Sequence, residues 1–234
     1  MTAAERKQAI AMAVVPVFAK AGFAGTTTKS LAAAAGVSEA LLYRHFPSKE
    51  SLYHFIQDQI CETNSAIEEF VRGLEPGAAS LVKMIYLVHQ IILPENDRRM
   101  PSGVVPRLLV QSLLQDGEFT RSFHETRFER MVPFMTAAAE AAAAKGELVP
   151  GPLSGAERQW FSHHLVLALK LSGLPQKPVF DYESKASERL HHSVWFCLRG
   201  MGLKDRVITR ELKPERLDPI IDDVLVRAGM RDPR

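Results

Sequence analysis

Tyr43, Arg44, His45 and Lys49 are close together in the sequence, and their side chains can all donate hydrogen bonds to an anion. Tyr43 and His45 each present a single donor, the guanidinium of Arg44 presents a planar set of donors, and Lys49 carries a compact positive charge. Such groups bind phosphate oxygens, and an arginine can also make a bidentate contact with a guanine base. The chemistry predicted for this segment is therefore binding of a phosphate-containing polymer.

Sequence motifs that carry catalysis are absent. The chain contains no GxSxG, P-loop, GxGxxG or HExxH sequence. The acidic pairs Glu68-Glu69 and Asp222-Asp223 are explained by solvated helix faces. We predict that the protein is not an enzyme and uses no cofactor.

The histidine pairs His163-His164 and His191-His192 are the strongest candidates for metal ligands. Neighbouring residues on a helix point about 100° apart, so neither pair can chelate an ion from one face. The two cysteines, Cys61 and Cys197, are far apart and form no CxxC pair. We predict no metal site, and we expect buried, reduced cysteines, as is usual in the cytoplasm.

The pattern of apolar residues predicts an all-α protein with almost no strand. Glycine and proline residues divide the chain into helices, and we expect Pro16 to bend the first of them. That helix ends at Gly22–Gly25, and the others are predicted over 27–35, 38–46, 48–72, 79–93, 104–115, 118–144, 154–171, 184–200 and 217–228.

The second and third of these helices have the features of a helix-turn-helix. Thr27 and Ser38 are good N-caps, and Gly36 supplies the left-handed residue that ends the first helix of the pair. Leu42 and Phe46 are four residues apart and must face inward together. Glu39, Ala40, Leu41 and Arg44 then point outward, which suits a helix in a DNA major groove.

Residues 13–52 resemble the N-terminal region of the tetracycline-repressor (TetR) family. The matching pieces are Val17-Phe18, Gly22-Phe23, Thr26-Thr27, Leu31-Ala32, Ala35-Gly36-Val37-Ser38 and the segment from Leu42 to Leu52. The resemblance implies that Thr27, Tyr43, His45 and Lys49 contact phosphates. It also implies that Glu39, Ala40, Leu41 and Arg44 face bases, with Ser38 at the start of the same helix. Ala40 and Leu41 are larger than is usual in the family at these positions, which affects the operator sequence.

The resemblance further implies a two-domain homodimer. Residues 1–52 would form a three-helix DNA-binding domain, and residues 53–234 a larger helical domain for effector binding and dimerisation. The protein would repress promoters by binding a palindromic operator and would be released by a small lipophilic effector. Two alternatives stay open: a regulator or activator without a small ligand, and a module controlled by a protein partner.

Candidate residues for the two sites of the larger domain follow from their chemistry. A cavity could be lined by Met84, Phe123, Phe128, Met131, Phe134, Trp160 and Phe161, with His89, Arg127 and His164 orienting a polar group. The segments 154–171 and 184–200 are apolar around most of their circumference, which favours a dimer interface. The interface candidates are Trp160, His163, Leu167, Leu171, His191, Val194, Trp195 and Leu198.

Composition and charge agree with this interpretation. Apolar residues make up 46% and charged residues 24% of the chain, whose net charge is only +2. Residues 1–55 nevertheless carry more cations than anions: Arg6, Lys7, Lys20, Lys29, Arg44 and Lys49 against Glu5, Glu39 and Glu50. Glu5 and the helical spacing after it argue against a secretion signal. The chain has no stretch of eighteen apolar residues, so we expect a cytoplasmic protein without a membrane span.

Overall fold

The computed structural model describes residues 2–61, 64–94, 103–177 and 179–233, with Cys61 described by its backbone alone. Within these ranges the chain is all α-helical, as predicted, apart from a 3-10 turn at Glu129–Met131 and an isolated bridge between Leu148 and Leu203. The helices are α1 Ala3–Ala21, α2 Thr28–Ala34, α3 Glu39–His45, α4 Lys49–Cys61, α5 Ser65–Arg72, α6 Ala78–Ile92, α7 Val104–Leu113, α8 Glu118–Arg127, α9 Val132–Ala144, α10 Gly155–Ser172, α11 Ala186–Gly200, α12 Asp205–Glu211 and α13 Pro214–Arg227.

Two helices predicted to be continuous are interrupted. The helix predicted over 48–72 consists of α4 and α5, because the Asn64 side chain accepts a hydrogen bond from the amide of Ala66 and starts a new helix. The helix predicted over 118–144 is broken by the 3-10 turn, and Pro133 occupies the first turn of α9. A proline is tolerated there because the first amides of a helix have no partner within it.

Two further helix boundaries differ from the predictions. The helix α12 has only seven residues, of which Val207 and Ile208 are buried, and it was not predicted. The last helix begins at Pro214 rather than at residue 217. By contrast, α1 continues past Pro16; the bend predicted at this residue stays a prediction.

The described residues pack as two units. The first contains α1–α4, α7 and α8, and the second contains α5, α6 and α9–α13. Phe18, Leu31, Leu42, Ile56 and Phe119 are all buried in the core of the first unit. The boundary predicted after residue 52 divides the chain by expected function, not by packing. It stays a prediction.

The helix-turn-helix of the first unit forms through the local interactions expected from its sequence. The Thr27 hydroxyl accepts a hydrogen bond from the amide of Ser30, and the Ser38 hydroxyl accepts one from the amide of Leu41, each at 3.2 Å. Gly36 has φ 64°, which is the left-handed conformation that a non-glycine residue adopts only at a cost. Thr27 thus fixes where α2 begins, and Gly36 and Ser38 fix where α2 ends and α3 begins.

The core of the second unit is built around α6. Leu81, Ile85 and Leu87 of this helix are buried among residues from α9, α11 and α13. The buried Tyr86 hydroxyl donates a hydrogen bond to Asp218 on α13 at 2.6 Å and lies 2.9 Å from Nε2 of His191 on α11. Burial, together with the Asp218 contact, raises the pKa of Tyr86 above its ordinary value. The hydroxyl thus stays protonated and links three helices.

Candidate nucleic-acid interface

The helix α3 has one buried face and one exposed face. Leu42 and Phe46 are buried in the first unit, as predicted. On the opposite side Glu39, Ala40 and Arg44 are exposed, while Leu41 is half-buried. The short helix therefore presents one cation, one anion and two apolar side chains to its surroundings, a set able to contact base edges in a groove.

Two of the predicted phosphate-binding residues, Thr27 and Tyr43, lie at the N-terminal end of α2. Tyr43 is exposed, and its hydroxyl donates a hydrogen bond to Oγ1 of Thr28 at 3.2 Å. Thr27, the N-cap of α2, is exposed next to it, and His45 is half-buried. The structure thus brings Tyr43 of α3 to the start of α2.

Lys49 differs from this group because its ammonium is already used within the fold. Its Nζ donates hydrogen bonds to the carbonyls of Phe23 at 3.0 Å and Thr26 at 3.2 Å. It also lies 4.2 Å from the centroid of the Phe23 ring. This role was not predicted, because the contacts join residues more than twenty positions apart in the chain.

A second lysine of the first unit packs on aromatic rings. The ammonium of Lys7 lies 5.2 Å from the ring centroid of Phe46 and 4.7 Å from that of Phe55. Such cation–π contacts contribute about 0.5–1 kcal/mol at exposed sites. Lys7 thereby connects α1 to the C-terminal end of α3 and to α4.

The candidate cavity residues are divided between the two units. Phe123, Arg127 and Phe128 belong to the first unit, where the Arg127 guanidinium lies 5.4 Å from the Phe123 ring centroid. The second unit contains Met84, His89, Met131, Phe134, Trp160, Phe161 and His164. Their grouping into one effector site stays a prediction.

Burial distinguishes these candidates within the second unit. Met84 and His89 are buried, Met131, Phe134 and Trp160 are half-buried, and Phe161 and His164 are exposed on α10. Phe161 and His164 are thus accessible on the surface of the protomer, and their assignment to an effector site stays a prediction.

His89 has a well-defined protonation state. Its Nδ1 lies 2.8 Å from the carbonyl oxygen of Ile85, which can only accept, so Nδ1 carries the proton. Its Nε2 faces the Cys197 thiol at 3.9 Å. Burial lowers the pKa of His89 to about 4, because a charged imidazole would lose its hydration there. Burial also raises the pKa of Cys197. Both groups are neutral near pH 7.

The predicted dimer interface requires a correction. Val194 and Leu198 are 0% exposed and His163 is 2% exposed in the single chain, so they form the core of the protomer. Trp195 is exposed, while Trp160, Leu167, Leu171 and His191 are half-buried. The helices α10 and α11 therefore have an inner face and an outer face rather than apolar surfaces all round.

The outer faces of α10 and α11 carry two large apolar residues that were not among the predicted interface residues. Phe161 on α10 is 57% exposed, and Phe196 on α11 is 60% exposed next to Trp195. The inner face of α10 instead carries buried polar residues, namely Arg158, Gln159, Ser162 and His163. Hydrophobicity alone therefore predicts the wrong buried face for α10, because these polar side chains face inward and Phe161 faces outward.

The described residues contain neither a cluster of metal ligands nor a membrane-spanning helix. No group of three or more histidine, cysteine, aspartate or glutamate side chains is arranged to hold a metal ion in this part of the chain. Among the same residues, no helix combines the length and the apolar character needed to cross a membrane.

The two capped helices joined at Gly36, in an all-α chain, define the class of helix-turn-helix DNA-binding regulators. Residues 13–55 match the sequence model of a family described as "Bacterial regulatory proteins, tetR family". The N-terminal helix-turn-helix region of the chain thus matches that of the TetR family.

The curated relatives match only part of the chain. The nucleoid occlusion factor SlmA of Aliivibrio fischeri (strain MJ11) is 34% identical over 114 residues, which cover 47% of this chain and 54% of that protein. The chain thus spans about half the length of the curated relatives it matches.

Solved structures share the fold over a larger part of the chain. A regulatory protein of the tetR family from Rhodococcus RHA1 superposes with a TM-score of 0.62 at 19% identity, covering 86% of this chain and 99% of that one. AibR in complex with isovaleryl coenzyme A and operator DNA gives a TM-score of 0.59 at 20% identity, with 82% and 97% covered. At these identities the likeness shows a common fold.

The low pKa of His89 predicts a pH-dependent contribution to stability. His89 becomes protonated below about pH 6.5 in the unfolded chain, but only below about pH 4 in the folded chain. The free energy of unfolding therefore falls as the pH is lowered through this window, by about 3 kcal/mol from this residue. Denaturant unfolding at several pH values should show a smaller fall for His89→Met than for the unmodified protein.

The exposed His54 provides the control: His54→Met should keep the original dependence. Parallel curves for His89→Met and the unmodified protein would disprove the assignment.

Proposed function

We propose that the protein is a cytoplasmic transcriptional repressor that binds a palindromic operator as a homodimer and is released by a small lipophilic effector. The observation that carries the proposal is the two-sided α3, which buries Leu42 and Phe46 and exposes Glu39, Ala40 and Arg44. In this proposal α3 enters the major groove, where Arg44 contacts a guanine and Leu41 contacts an apolar base edge. Glu39, at the N-terminal end of α3 after Ser38, would accept a hydrogen bond from a cytosine.

The phosphate contacts in this proposal come from the edge of the helix-turn-helix. Thr27 and Tyr43 are exposed at the start of α2, and the half-buried His45 ends α3. Hydroxyl and imidazole donors of this kind fix the register of a protein on the DNA backbone without reading its sequence. They would set the position from which Arg44 reads a base.

The dimer proposal rests on the outer faces of α10 and α11. A palindromic operator requires a two-fold symmetric protein, and an isologous interface presents the same surface on both subunits. Phe161, Trp195 and Phe196 are large apolar side chains left exposed on these two helices. Pairing the helices with their symmetry mates would bury all three in a four-helix bundle.

The effector proposal rests on chemistry and on one structural relative. The second unit contains half-buried Met131, Phe134 and Trp160 as apolar side chains and the neutral His89 as a polar one. The structure of AibR, which has the same fold, was determined with isovaleryl coenzyme A and operator DNA. A coupling free energy of about 1–3 kcal/mol between such a site and DNA would change operator affinity about 5–150-fold. Control by a protein partner is the alternative, since the partial relative SlmA is a nucleoid occlusion factor.

Arg44 provides the test of DNA recognition. An operator can be obtained by in vitro selection from random duplexes with the unmodified protein. Arg44→Ala should weaken operator binding by about 1–3 kcal/mol and relax the preference at one base pair of each half-site. Binding to random DNA should fall much less, since a guanine contact is lost. Arg121 on α8 is also an exposed arginine of the first unit, and Arg121→Ala should keep the original preference. Equal losses on operator and random DNA would exclude base reading by Arg44.

Phe196 provides the test of the dimer. Phe196→Glu places a charge at the centre of the proposed bundle, so analytical ultracentrifugation should show a folded monomer that has lost operator binding. Leu114, which is 74% exposed in the first unit, gives the control. Leu114→Glu should remain dimeric. If Phe196→Glu is also dimeric, the interface lies elsewhere.

Native mass spectrometry tests the effector. Protein purified from cells should retain an adduct of the size of a lipid or acyl thioester, and Trp160→Ala should reduce the retained fraction while leaving operator affinity within about threefold. A second protein chain of fixed stoichiometry, with no small adduct, would instead support control by a protein partner.

A further inference from the structure

Lys49 is the first residue of α4, and its ammonium is directed into the first unit rather than away from it. Two of its three donors are used by the carbonyls of Phe23 and Thr26, at 3.0 and 3.2 Å. The ring of Phe23 lies 4.2 Å from the same nitrogen. The charge is thus compensated by two carbonyl dipoles and by the face of an aromatic ring.

The contacted residues form the loop between α1 and α2. The Phe23 carbonyl also accepts hydrogen bonds from the Thr26 hydroxyl at 2.9 Å and from the Thr26 amide at 3.3 Å. Thr26 is buried, although it lies in a loop. Lys49 is therefore the third donor to one carbonyl, and it joins this compact turn to α4.

A second residue of α4 holds the same loop from the side. The ring of Tyr53, one helical turn after Lys49, lies 5.1 Å from the ring of Phe23 and 5.0 Å from that of Phe18. Phe23 thus contacts both the ammonium of Lys49 and the ring of Tyr53. The Tyr53 ring contacts only the side chain of Phe23, whereas Lys49 contacts the backbone carbonyls of Phe23 and Thr26 directly.

The loop leads into the N-terminal end of α2. Thr26 is followed by Thr27, whose hydroxyl caps α2 and whose backbone accepts the first helical hydrogen bond. A helix of seven residues takes its direction from its ends, because it makes few internal hydrogen bonds. Fixing the carbonyl of Thr26 therefore fixes where α2 begins.

From these contacts we propose that Lys49 is a positioning residue, which holds the loop 22–27 against α4 and so orients Thr27 and α2, instead of neutralising a DNA phosphate. The effect on DNA affinity rests on the proposed function. The contacts of Lys49 with the loop carbonyls, which we call the clamp, are present in the protein without DNA. It replaces the phosphate contact that the family resemblance implies for this lysine.

Three variants of the full-length protein separate the two roles. Lys49→Met retains the length of the side chain but has no donor and no charge. Lys49→Arg can restore donors to both carbonyls and packs on an aromatic ring as well. Lys29→Met removes the exposed lysine of α2 and serves as the matched control.

Hydrogen exchange of the DNA-free protein provides the first measurement. Lys49→Met should raise exchange at the amides of residues 23–28 about tenfold or more, because two charge-assisted hydrogen bonds are lost. Amides of α6 should be unchanged. Lys49→Arg should restore most of the protection, and Lys29→Met should resemble the unmodified protein. Unchanged exchange in Lys49→Met would overturn the clamp, whether or not the protein binds DNA.

The salt dependence of operator binding provides the second measurement. Lys49→Met should weaken binding about tenfold, while the slope of log K against log salt concentration stays within about 0.3 of the original value. Lys49→Arg should recover the affinity. A slope reduced by about 0.9 in Lys49→Met would show that Lys49 neutralises a phosphate and would overturn the proposal. Failure of the unmodified protein to bind any duplex would contradict the proposed function but leave the exchange result intact.

Discussion

Both helices of the helix-turn-helix have only seven residues, and helices of this length are not stable alone in water. Their order must come from their ends and from the core beneath them. Thr27 and Ser38 cap them, Gly36 turns the chain between them, and Leu42 and Phe46 anchor α3. Any recognition surface on α3 therefore depends on packing contributed by α1, α4, α7 and α8.

Cations have two different uses in the first unit. Lys7 and Lys49 lie against aromatic rings and, for Lys49, against backbone carbonyls. Arg44 and Lys29 are exposed. The positive charge counted along residues 1–55 therefore overstates the charge available to a polyanion, because part of it stabilises the fold. A count of lysines and arginines cannot separate the two uses, since it ignores contacts between distant residues.

The second unit shows the same distinction for apolar side chains. The α10 helix buries Arg158, Ser162 and His163, whereas Phe161 is exposed between them. An arrangement of this kind is unfavourable for an isolated protomer, because it exposes apolar surface and desolvates polar groups. Hydrogen bonds inside the protomer, such as that from Arg158 to the Met201 carbonyl, offset the second cost. Covering the outer face with another apolar surface would remove the first cost, and this reasoning supports the proposed dimer.

The sequence by itself determined the features that depend on near neighbours. The all-α class, the caps at Thr27 and Ser38, the turn at Gly36 and the inward positions of Leu42 and Phe46 could all be predicted. The physical reason is that capping, left-handed geometry and helical spacing act within a few residues. The TetR resemblance of residues 13–52 depends on the same local pattern.

Only the tertiary structure decided which residues meet across long stretches of the chain. The contact of Lys49 with Phe23, the link from Tyr86 to Asp218, and the inward polar face of α10 all depend on distant helices. The burial of Val194 and Leu198 and the exposure of Phe161 and Phe196 follow from the same packing. Periodicity shows that a helix has two faces, but the face that is buried is set by the neighbours that cover it.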